Sequence, residues 1–217
     1  SSVAKIVYNR CSQNSKRSLC LGGAKNHMIV VPDADTDSTA KGLLASSMGS
    51  AGQRCMAASV AVGVANIDHI IDQLVEEARN FKLGVDMGTI ISKTALDRIT
   101  GYIDEAEKMG AKILVDGRDN SPPDDYKQGY WLGATILDGI DPDWPSAKEE
   151  IFGPVLSIIR ADTIEEAMKI ENNNPYGNAA AVFTTSGQIA KVVSEKASAG
   201  MVGINIGVPV PRDPYSF

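Results

Sequence analysis

The 217-residue sequence lacks the features that indicate a nucleic-acid-binding or a membrane protein. It contains 27 acidic against 21 basic residues, which gives a formal net charge of −6, and it has no block of Lys and Arg. Because affinity for a phosphate backbone comes from cationic side chains that displace counterions, we expect no nucleic-acid partner. The longest nearly apolar run, Cys55 to Ala65, is well short of the ~20 residues that a transmembrane helix needs. We therefore expect no membrane partner.

The sequence also lacks the common fingerprints of phosphate and metal sites. It contains no Gly-x-Gly-x-x-Gly, no phosphate-binding loop that ends in Lys-Ser/Thr, no Cys-x-x-Cys and no His-Glu-x-x-His. With only two histidines, His27 and His69, we expect no metal site. His69 lies beside the apolar stripe of a predicted helix, and we interpret it as a partly exposed structural side chain.

Cysteine is scarce, and the three that occur, Cys11, Cys20 and Cys55, cannot all pair within one chain. A chain of this length can bury a core without disulfides. There is no Asn-x-Ser/Thr acceptor for glycosylation, and the N-terminus resembles neither a signal peptide nor an Arg-rich transit sequence. We therefore expect an intracellular, reducing compartment. Because an initiator Met is absent, we also expect the chain to be a piece of a longer protein.

What the sequence does contain is an alternation of helix and strand patterns. Apolar residues at helical spacing predict helices, which begin near residues 67, 92, 163 and 186, with a weaker one at 37–48. Short apolar runs rich in branched residues predict strands at 28–31, 113–115, 155–159, 180–183 and 201–204. Such strands, separated by helices, are typical of a mostly parallel sheet with helices on both faces. The predicted fold class is therefore α/β, with a surface loop at 116–128.

One segment has the composition of a nucleophile loop. Residues 49–55, Gly-Ser-Ala-Gly-Gln-Arg-Cys, place a cysteine after small residues that let the backbone approach a ligand. The adjacent Arg54 would favour thiolate over thiol at Cys55, and backbone N–H groups of the loop could receive an oxyanion. A buried and inert cysteine is the alternative that composition leaves open, and it is the favoured interpretation of Cys11 and Cys20.

A second segment, residues 148–155 with the sequence Lys-Glu-Glu-Ile-Phe-Gly-Pro-Val, leads through a turn into a predicted strand. Here Glu150 offers a carboxylate that can bind hydroxyl groups, and Phe152 offers a ring that can support a flat ligand. A solvated acidic turn with a core phenylalanine is an equally good interpretation of this segment alone. Residues 174–178, Asn-Pro-Tyr-Gly-Asn, form a third segment, with ordinary turn chemistry before a strand.

Taken in this order, the segments resemble the aldehyde dehydrogenase family, whose catalytic domain carries a Gly-Gln-x-Cys motif, a Glu-Glu-x-Phe-Gly-Pro motif and an Asn-Pro-Tyr-Gly turn. Residues 86–92, Asp-Met-Gly-Thr-Ile-Ile-Ser, are similar to the family's short loop before a helix. Residues 23–27, residues 53–57 and the tail at 209–211 and 216–217 resemble the branch of CoA-acylating methylmalonate-semialdehyde dehydrogenases. The resemblance covers essentially the whole chain.

The resemblance implies a role for each candidate site residue. Cys55 would attack an aldehyde carbon, and its backbone N–H would be one oxyanion donor. Hydride would pass to NAD and leave a thioester on Cys55, while Glu150 would hold the nicotinamide ribose and Phe152 would pack beside the nicotinamide. Arg54 would pair with the carboxylate of methylmalonate or malonate semialdehyde. The alternative for Arg54 is that it only activates the thiol or binds elsewhere on the surface.

Coenzyme A is implied as the acyl acceptor because a base is missing. In hydrolytic relatives a glutamate just before the Gly-Gly-Lys-like segment activates water on the thioester. Alignment through Lys25 puts Leu21 at that position, and leucine cannot act as a base. We therefore expect the acyl group to pass to coenzyme A, with loss of the carboxyl group and with propionyl-CoA or acetyl-CoA as product.

The resemblance also implies how the protein is organised. An NAD-binding half precedes this region in the family, so we expect residues 1–20 to be the remnant of that half and residues 21–217 to be the thiol-bearing catalytic domain. The preceding half would supply further oxyanion and substrate contacts, so the isolated fragment would be nearly inactive. We expect the parent to be a homodimer or homotetramer, in the mitochondrial matrix if the source is eukaryotic.

Two alternatives to this function stay open. The first is a hydrolytic aldehyde dehydrogenase in which another carboxylate replaces the lost base, and its product would be a free acid. The second is a non-catalytic domain of this fold that serves binding or assembly, in which Cys55 would react with alkylating reagents no faster than Cys11 or Cys20.

Overall fold

The computed structural model describes residues 2–209, at whose centre lies a seven-stranded sheet. In chain order the strands are β1 (Asn26–Val30), β2 (Ala58–Val64), β3 (Lys112–Val115), β4 (Thr135–Asp138), β5 (Val155–Ala161), β6 (Ala179–Phe183) and β7 (Met201–Ile204). They follow the spatial order β3-β4-β5-β2-β1-β6-β7, and every neighbouring pair is parallel except β3 with β4. The predicted α/β class with a mostly parallel sheet is confirmed.

Seven α-helices occur within residues 2–209. Five of them begin within one residue of a predicted start, at 36, 68, 93, 164 and 187. At three of these starts Ser92, Thr163 and Ser186 each accept a hydrogen bond from the N–H three residues on. The helices are α1 (Ser2–Gln13), α2 (Thr36–Met48), α3 (Asp68–Arg79), α4 (Lys93–Lys108), α5 (Pro145–Lys148), α6 (Ile164–Asn172) and α7 (Gly187–Lys196).

The structure differs from the sequence prediction in four elements. The short helix α5 and strands β2 and β4 were not predicted: in β2, Ala, Ser and Gly separate the three Val residues and weaken the strand signal, and β4 has only four residues. Helix α1 was not predicted either, because its apolar side chains are exposed rather than packed on a core.

The order of the strands decides where the motifs meet. Strands β1 and β6 are buried at every position, so both faces of the sheet are covered. The motif segments 53–57, 148–154 and 174–178 lead into β2, β5 and β6, which run parallel to one another in one sheet. Because parallel strands begin at the same edge of a sheet, this topology brings the three segments together at the amino-terminal edge.

Strand β1 carries a buried histidine at this edge. The side chain of His27 is only 4% exposed, and its Nδ1 lies 3.0 Å from the carbonyl oxygen of Lys25 and 3.1 Å from Nδ2 of Asn174. Burial lowers the pKa of His27 to about 4, and the nearby charge of Lys25 lowers it further. His27 is therefore neutral in the folded protein at neutral pH.

We expect His27 to make the fold sensitive to acid. The unfolded chain takes up this proton with a pKa near 6.5 and the folded chain with a pKa of about 4, so stability falls as the pH drops from 6.5 to 4. The loss should be about 3 kcal/mol, measured as the free energy of unfolding in urea at pH 7 and at pH 4.

The variant His27→Gln should remove most of this pH-dependent loss. His69, which is exposed, supplies the matched control, and His69→Gln should leave the loss unchanged. If both variants lose as much stability on acidification as the original protein, the buried neutral histidine is not the cause.

Candidate active site

The loop before β2 follows a left-handed path that leaves Cys55 exposed. Ser50, Ala51 and Gly52 have positive φ angles of 55°, 53° and 65°. The left-handed conformation costs a residue with a side chain roughly 1–2 kcal/mol, and it persists only where the surroundings enforce it. The chain then closes a turn, in which the Ala57 N–H donates to the carbonyl oxygen of Arg54 at 3.0 Å.

A contact between two glycines joins this loop to the turn before β5. A Cβ on Gly52 would lie 2.0 Å from the carbonyl oxygen of Gly153, so the two backbones touch directly. A Cβ on Gly153 would lie 2.7 Å from Ile99 in α4, so neither position accepts a side chain without a shift. The contact closes a narrow cleft whose lining includes the four residues selected from the sequence, Arg54, Cys55, Glu150 and Phe152.

Helix α4 fixes the segment that carries Glu150 and Phe152. Arg98 Nη1 donates to the carbonyl oxygen of Ile151 at 2.6 Å, and the Tyr102 hydroxyl donates to Oε2 of Glu149 at 2.5 Å. Burial raises the pKa of Tyr102 to about 12, and the hydrogen bond to Glu149 raises it further. Tyr102 therefore keeps its donor proton at neutral pH.

The segment before β1 holds Glu150 from the other side. The backbone N–H of Ala24 donates to Oε1 of Glu150 at 3.2 Å. The neighbouring Lys25 is buried, and its Nζ donates to the carbonyl oxygen of Ser146 at 2.8 Å. Burial lowers the pKa of Lys25 to about 7, against the opposing charges of Glu150 and Glu149. Glu150 is thus oriented by a backbone donor and lies near a buried amine.

Phe152 is 37% exposed at the cleft and has a left-handed φ of 53°. A phenylalanine in this conformation is strained, and it is held there by the Gly153 contact that follows it. Of the two interpretations of this segment, a core phenylalanine does not describe the structure, because the ring is partly open to solvent.

Arg54 lines the same cleft as Cys55, and part of its guanidinium group binds the end of α2. Its Nη2 donates to the carbonyl oxygens of Ala45 and Ser46 at 2.9 Å and 3.2 Å. A cation at these last carbonyls of a helix is favourable because they carry the negative end of the helix dipole. Its Nε is buried and has no hydrogen-bond partner within the described residues. The guanidinium therefore supports the loop and also retains an unpaired donor.

Sequence reasoning missed the role of Gln53 in the nucleophile loop. Its Nε2 donates to the carbonyl oxygen of Thr89 at 3.0 Å, and its Oε1 accepts from the N–H of Ile91 at 2.9 Å. Gln53 thereby ties the nucleophile loop to residues 86–92, which lead into α4. The signal in the sequence was that both segments belong to the same set of ordered motifs.

The remaining candidates lie apart from the cleft. Cys11 and Cys20 are half-buried free cysteines, and Leu21 is 59% exposed. The tail motif lies, from residue 210 onward, outside the described residues.

Within residues 2–209 there is no group of three or more His, Cys, Asp or Glu side chains that could hold a metal ion. The same part of the chain has no helix long and apolar enough to cross a membrane.

The fold and the cleft define a class, an α/β domain that presents a thiol, a glutamate and a phenylalanine at the amino-terminal edge of a mostly parallel sheet. The model of the aldehyde dehydrogenase family matches residues 1–217, and the chain belongs to this family.

Within the family the chain is similar to semialdehyde dehydrogenases. It is 39% identical over 223 residues to the malonate-semialdehyde dehydrogenase of Pseudomonas aeruginosa, and the alignment covers 99% of this chain and 45% of that protein. It is also 41% identical over 221 residues to the mitochondrial, acylating methylmalonate-semialdehyde/malonate-semialdehyde dehydrogenase of Rattus norvegicus. That alignment covers 99% of this chain and 41% of the rat protein.

A solved structure gives the same result. A Sinorhizobium meliloti protein, named a methylmalonate-semialdehyde dehydrogenase and complexed with NAD, superposes with a TM-score of 0.92 at 42% identity. The match covers 97% of this chain and 44% of that one. The resemblance seen in the sequence is confirmed, and the chain spans less than half the length of the relatives it matches.

Because Gly52 combines a positive φ with the Gly153 contact, we expect Gly52→Ala to lower the free energy of unfolding by at least about 2 kcal/mol. Gly101 in α4 is the matched control, since a Cβ there would meet nothing within 4 Å. Gly101→Ala should raise stability by about 0.5–1 kcal/mol, because glycine is unfavourable inside a helix. Urea titration measures both, and a Gly52→Ala variant as stable as the original would contradict the contact.

Proposed function

We propose that this chain is the thiol-bearing part of an enzyme that oxidises methylmalonate or malonate semialdehyde with NAD and transfers the acyl group to coenzyme A. The observation that carries the proposal is the single cleft shared by Cys55, Glu150 and Phe152. The names of the relatives give the substrates, and the word "acylating" in the name of the rat enzyme supports coenzyme A as acceptor. The carboxyl group of the substrate leaves as CO₂ or bicarbonate, a proton takes its place on the carbon, and the product is propionyl-CoA or acetyl-CoA.

Cys55 begins the reaction as a nucleophile. Its thiolate forms a bond to the aldehyde carbon, and the carbonyl oxygen takes the negative charge. The backbone N–H of Cys55 is available to donate to that oxygen, since it has no backbone acceptor within residues 2–209. Cys55 is an exposed residue that lines the cleft, as access of a substrate to a reactive thiol requires.

Glu150 and Phe152 fit the nicotinamide end of NAD. The carboxylate of Glu150, oriented by the Ala24 N–H, can accept hydrogen bonds from ribose hydroxyls, and the exposed ring of Phe152 can flank a flat ring. When bound, NAD would supply the acceptor for the hydride of the substrate carbon, and Cys55 would then hold the acyl group as a thioester. Glu150 and Phe152 orient the dinucleotide and narrow the cleft around that carbon.

Coenzyme A then accepts the acyl group because the chain offers no base at the position of the hydrolytic glutamate. Leu21 occupies that position in the sequence, and its exposed apolar side chain cannot deprotonate water. The thiol of coenzyme A replaces the sulfur of Cys55 on the acyl carbon, and Cys55 is regenerated. We assign the carboxylate of the substrate to Arg54, whose cationic side chain lines the cleft next to Cys55.

We further propose that residues 1–20 belong to a preceding NAD-binding half and that residues 21–217 form the catalytic unit. The exposed apolar side chains of α1 support this division, because an isolated chain gains nothing from leaving them in water. They are Val3, Ile6, Val7 and Tyr8. The complete enzyme would be a homodimer or homotetramer, mitochondrial in a eukaryote as the rat relative is named, and the isolated chain would be nearly inactive.

The test uses the complete enzyme with methylmalonate semialdehyde and NAD, with and without coenzyme A. We expect about one NADH per active site without coenzyme A and continuous formation of NADH and propionyl-CoA with it. Cys55→Ser should abolish both, and Cys20→Ser, the matched control, should leave both unchanged. Sustained release of a free acid without coenzyme A would instead show a hydrolytic enzyme.

Arg54 is tested with two substrates that differ only in the carboxylate. With Arg54→Leu, kcat/KM for malonate semialdehyde should fall by about 30-fold or more, because a charged hydrogen bond to the substrate is lost. For the corresponding aldehyde without a carboxylate, the change should stay within about threefold. An equal fall for both substrates would mean that Arg54 only supports the loop through the end of α2.

A further inference from the structure

Two asparagine side chains converge on the carbonyl oxygen of Cys55. The Nδ2 atoms of Asn26 and Asn178 each donate to this oxygen, both at 2.9 Å. Asn26 is the first residue of β1 and Asn178 directly precedes β6, so the donors come from two neighbouring strands of the sheet. The function proposed above gives neither asparagine a role. We call this pair of donors the asparagine clamp.

Both polar atoms of the Asn26 side chain form hydrogen bonds, Nδ2 with the nucleophile loop and Oδ1 with the start of β6. The residue is 1% exposed, and its Nδ2 also donates to the carbonyl oxygen of Ala57 at 2.8 Å. Its Oδ1 accepts from the N–H of Ala179 at 3.2 Å. The pairing of β1 with β2 is irregular between Asn26 and His27, and at this irregularity a side chain, not the backbone of β1, binds residues 55–57. Asn26 therefore ties the loop to the start of β6.

Asn178 completes the clamp from the turn before β6. The residue is half-buried, and besides the Cys55 oxygen its Nδ2 contacts the sulfur of Met56 at 3.3 Å. Its contacts are thus made to the two central residues of the turn that presents the thiol. Truncation of the Asn178 side chain leaves the buried hydrogen bonds of Asn26 in place. Asn178 is therefore a better position than Asn26 for a substitution that tests the clamp.

The clamped oxygen belongs to the peptide whose orientation sets the carbonyl dipole beside the thiol. Because the Ala57 N–H donates to the Arg54 oxygen, Cys55 and Met56 are the central residues of a β-turn. The peptide between the two central residues is the one that rotates between the common turn types. Such a rotation changes ψ of Cys55 and therefore the position of its carbonyl dipole relative to Sγ. Two hydrogen bonds to the oxygen oppose this rotation.

We propose that Asn26 and Asn178 are positioning residues for the nucleophile, which hold the Cys55 carbonyl toward the starts of β1 and β6 and so fix the thiol in the cleft. The inference rests on Cys55 being the nucleophile of the proposed function. The clamp has an electrostatic consequence as well. Donors on the carbonyl oxygen offset its partial negative charge, which otherwise repels a thiolate on the same residue.

The test measures the rate of alkylation of each cysteine by iodoacetamide in the complete enzyme, with the peptides separated by mass. In the original chain Cys55 should react faster than Cys11 and Cys20, which serve as internal references. Asn178→Ala should slow Cys55 by about fivefold, the factor that one hydrogen bond contributes, and leave the references unchanged. Asn178→Asp keeps the shape but replaces the donor with a negative carboxylate, and it should slow Cys55 further.

Asn173→Ala is the matched control, since Asn173 is an exposed asparagine in the same connection between α6 and β6. It should leave the rate at Cys55 unchanged. In the complete enzyme, Asn178→Ala should lower kcat by about fivefold with KM for NAD and for the semialdehyde within about twofold, because only the geometry of the thiol changes. Melting temperatures of the variants verify that they are folded, and the isosteric Asn178→Asp serves where Asn178→Ala does not fold.

The outcomes separate the two proposals. If Cys55 of the original chain reacts no faster than Cys11 and Cys20, the proposed function fails and the clamp has no nucleophile to position. If Cys55 is selectively reactive but Asn178→Ala alters neither its rate nor kcat, the clamp is overturned and the proposed function stands.

Discussion

The site depends on the direct contact between the backbones of Gly52 and Gly153. No side chain fits between them, and the contact brings the thiol loop against the segment of Glu150 and Phe152. Reaching it requires a left-handed path through Ser50 and Ala51, which is unfavourable in isolation. Hydrogen bonds on either side of the loop oppose this cost, from Gln53 to residues 86–92 and from the asparagine clamp to Cys55. The thiol is thus presented by a strained loop with fixed ends.

The cleft also lies at an uncommon edge of the sheet. Ligands of open α/β sheets usually bind at the carboxyl ends of the strands, where the connecting loops gather. Here the segments that enter four parallel strands meet at the amino ends, and each supplies a different part. The segment before β1 orients the carboxylate of Glu150, and the segment before β2 carries the thiol of Cys55. The segment before β5 carries Glu150 and Phe152 themselves. The segment before β6 supplies Asn178, one donor of the asparagine clamp. This division makes each motif dependent on the register of the others.

Local chemistry was predictable from the sequence, and long-range chemistry was not. Ser92, Thr163 and Ser186 were recognisable as helix starts because a cap needs only residues within one turn. Strand β2 was not, since Ala, Ser and Gly separate its three Val residues and weaken the local strand preference. The candidate residues of the cleft came from ordered motifs. The asparagine clamp could not be predicted, because it joins Cys55 to Asn26 and Asn178, which are separated from it by 29 and 123 positions in the sequence. Only the sheet brings these residues together.

Arg54 also shows that contacts between distant parts of the chain cannot be predicted from the local sequence. Its position beside the thiol indicated a cation near the nucleophile, but nothing local indicated that Nη2 would bind the last turn of α2. One guanidinium can serve both purposes, because its donors point in different directions. The loop, the helix end and the cleft are therefore coupled through this side chain.

The most direct test of the central claim, that Cys55 carries the acyl group between oxidation and transfer, is to trap that group. The complete enzyme is mixed with methylmalonate semialdehyde and NAD without coenzyme A, quenched in acid, digested and analysed by mass spectrometry. An acyl group should be found on the peptide that contains Cys55, and it should disappear as propionyl-CoA forms when coenzyme A is added before the quench. An unmodified Cys55 peptide under conditions that produce NADH, or an acyl group on Cys11 or Cys20 instead, would contradict the claim.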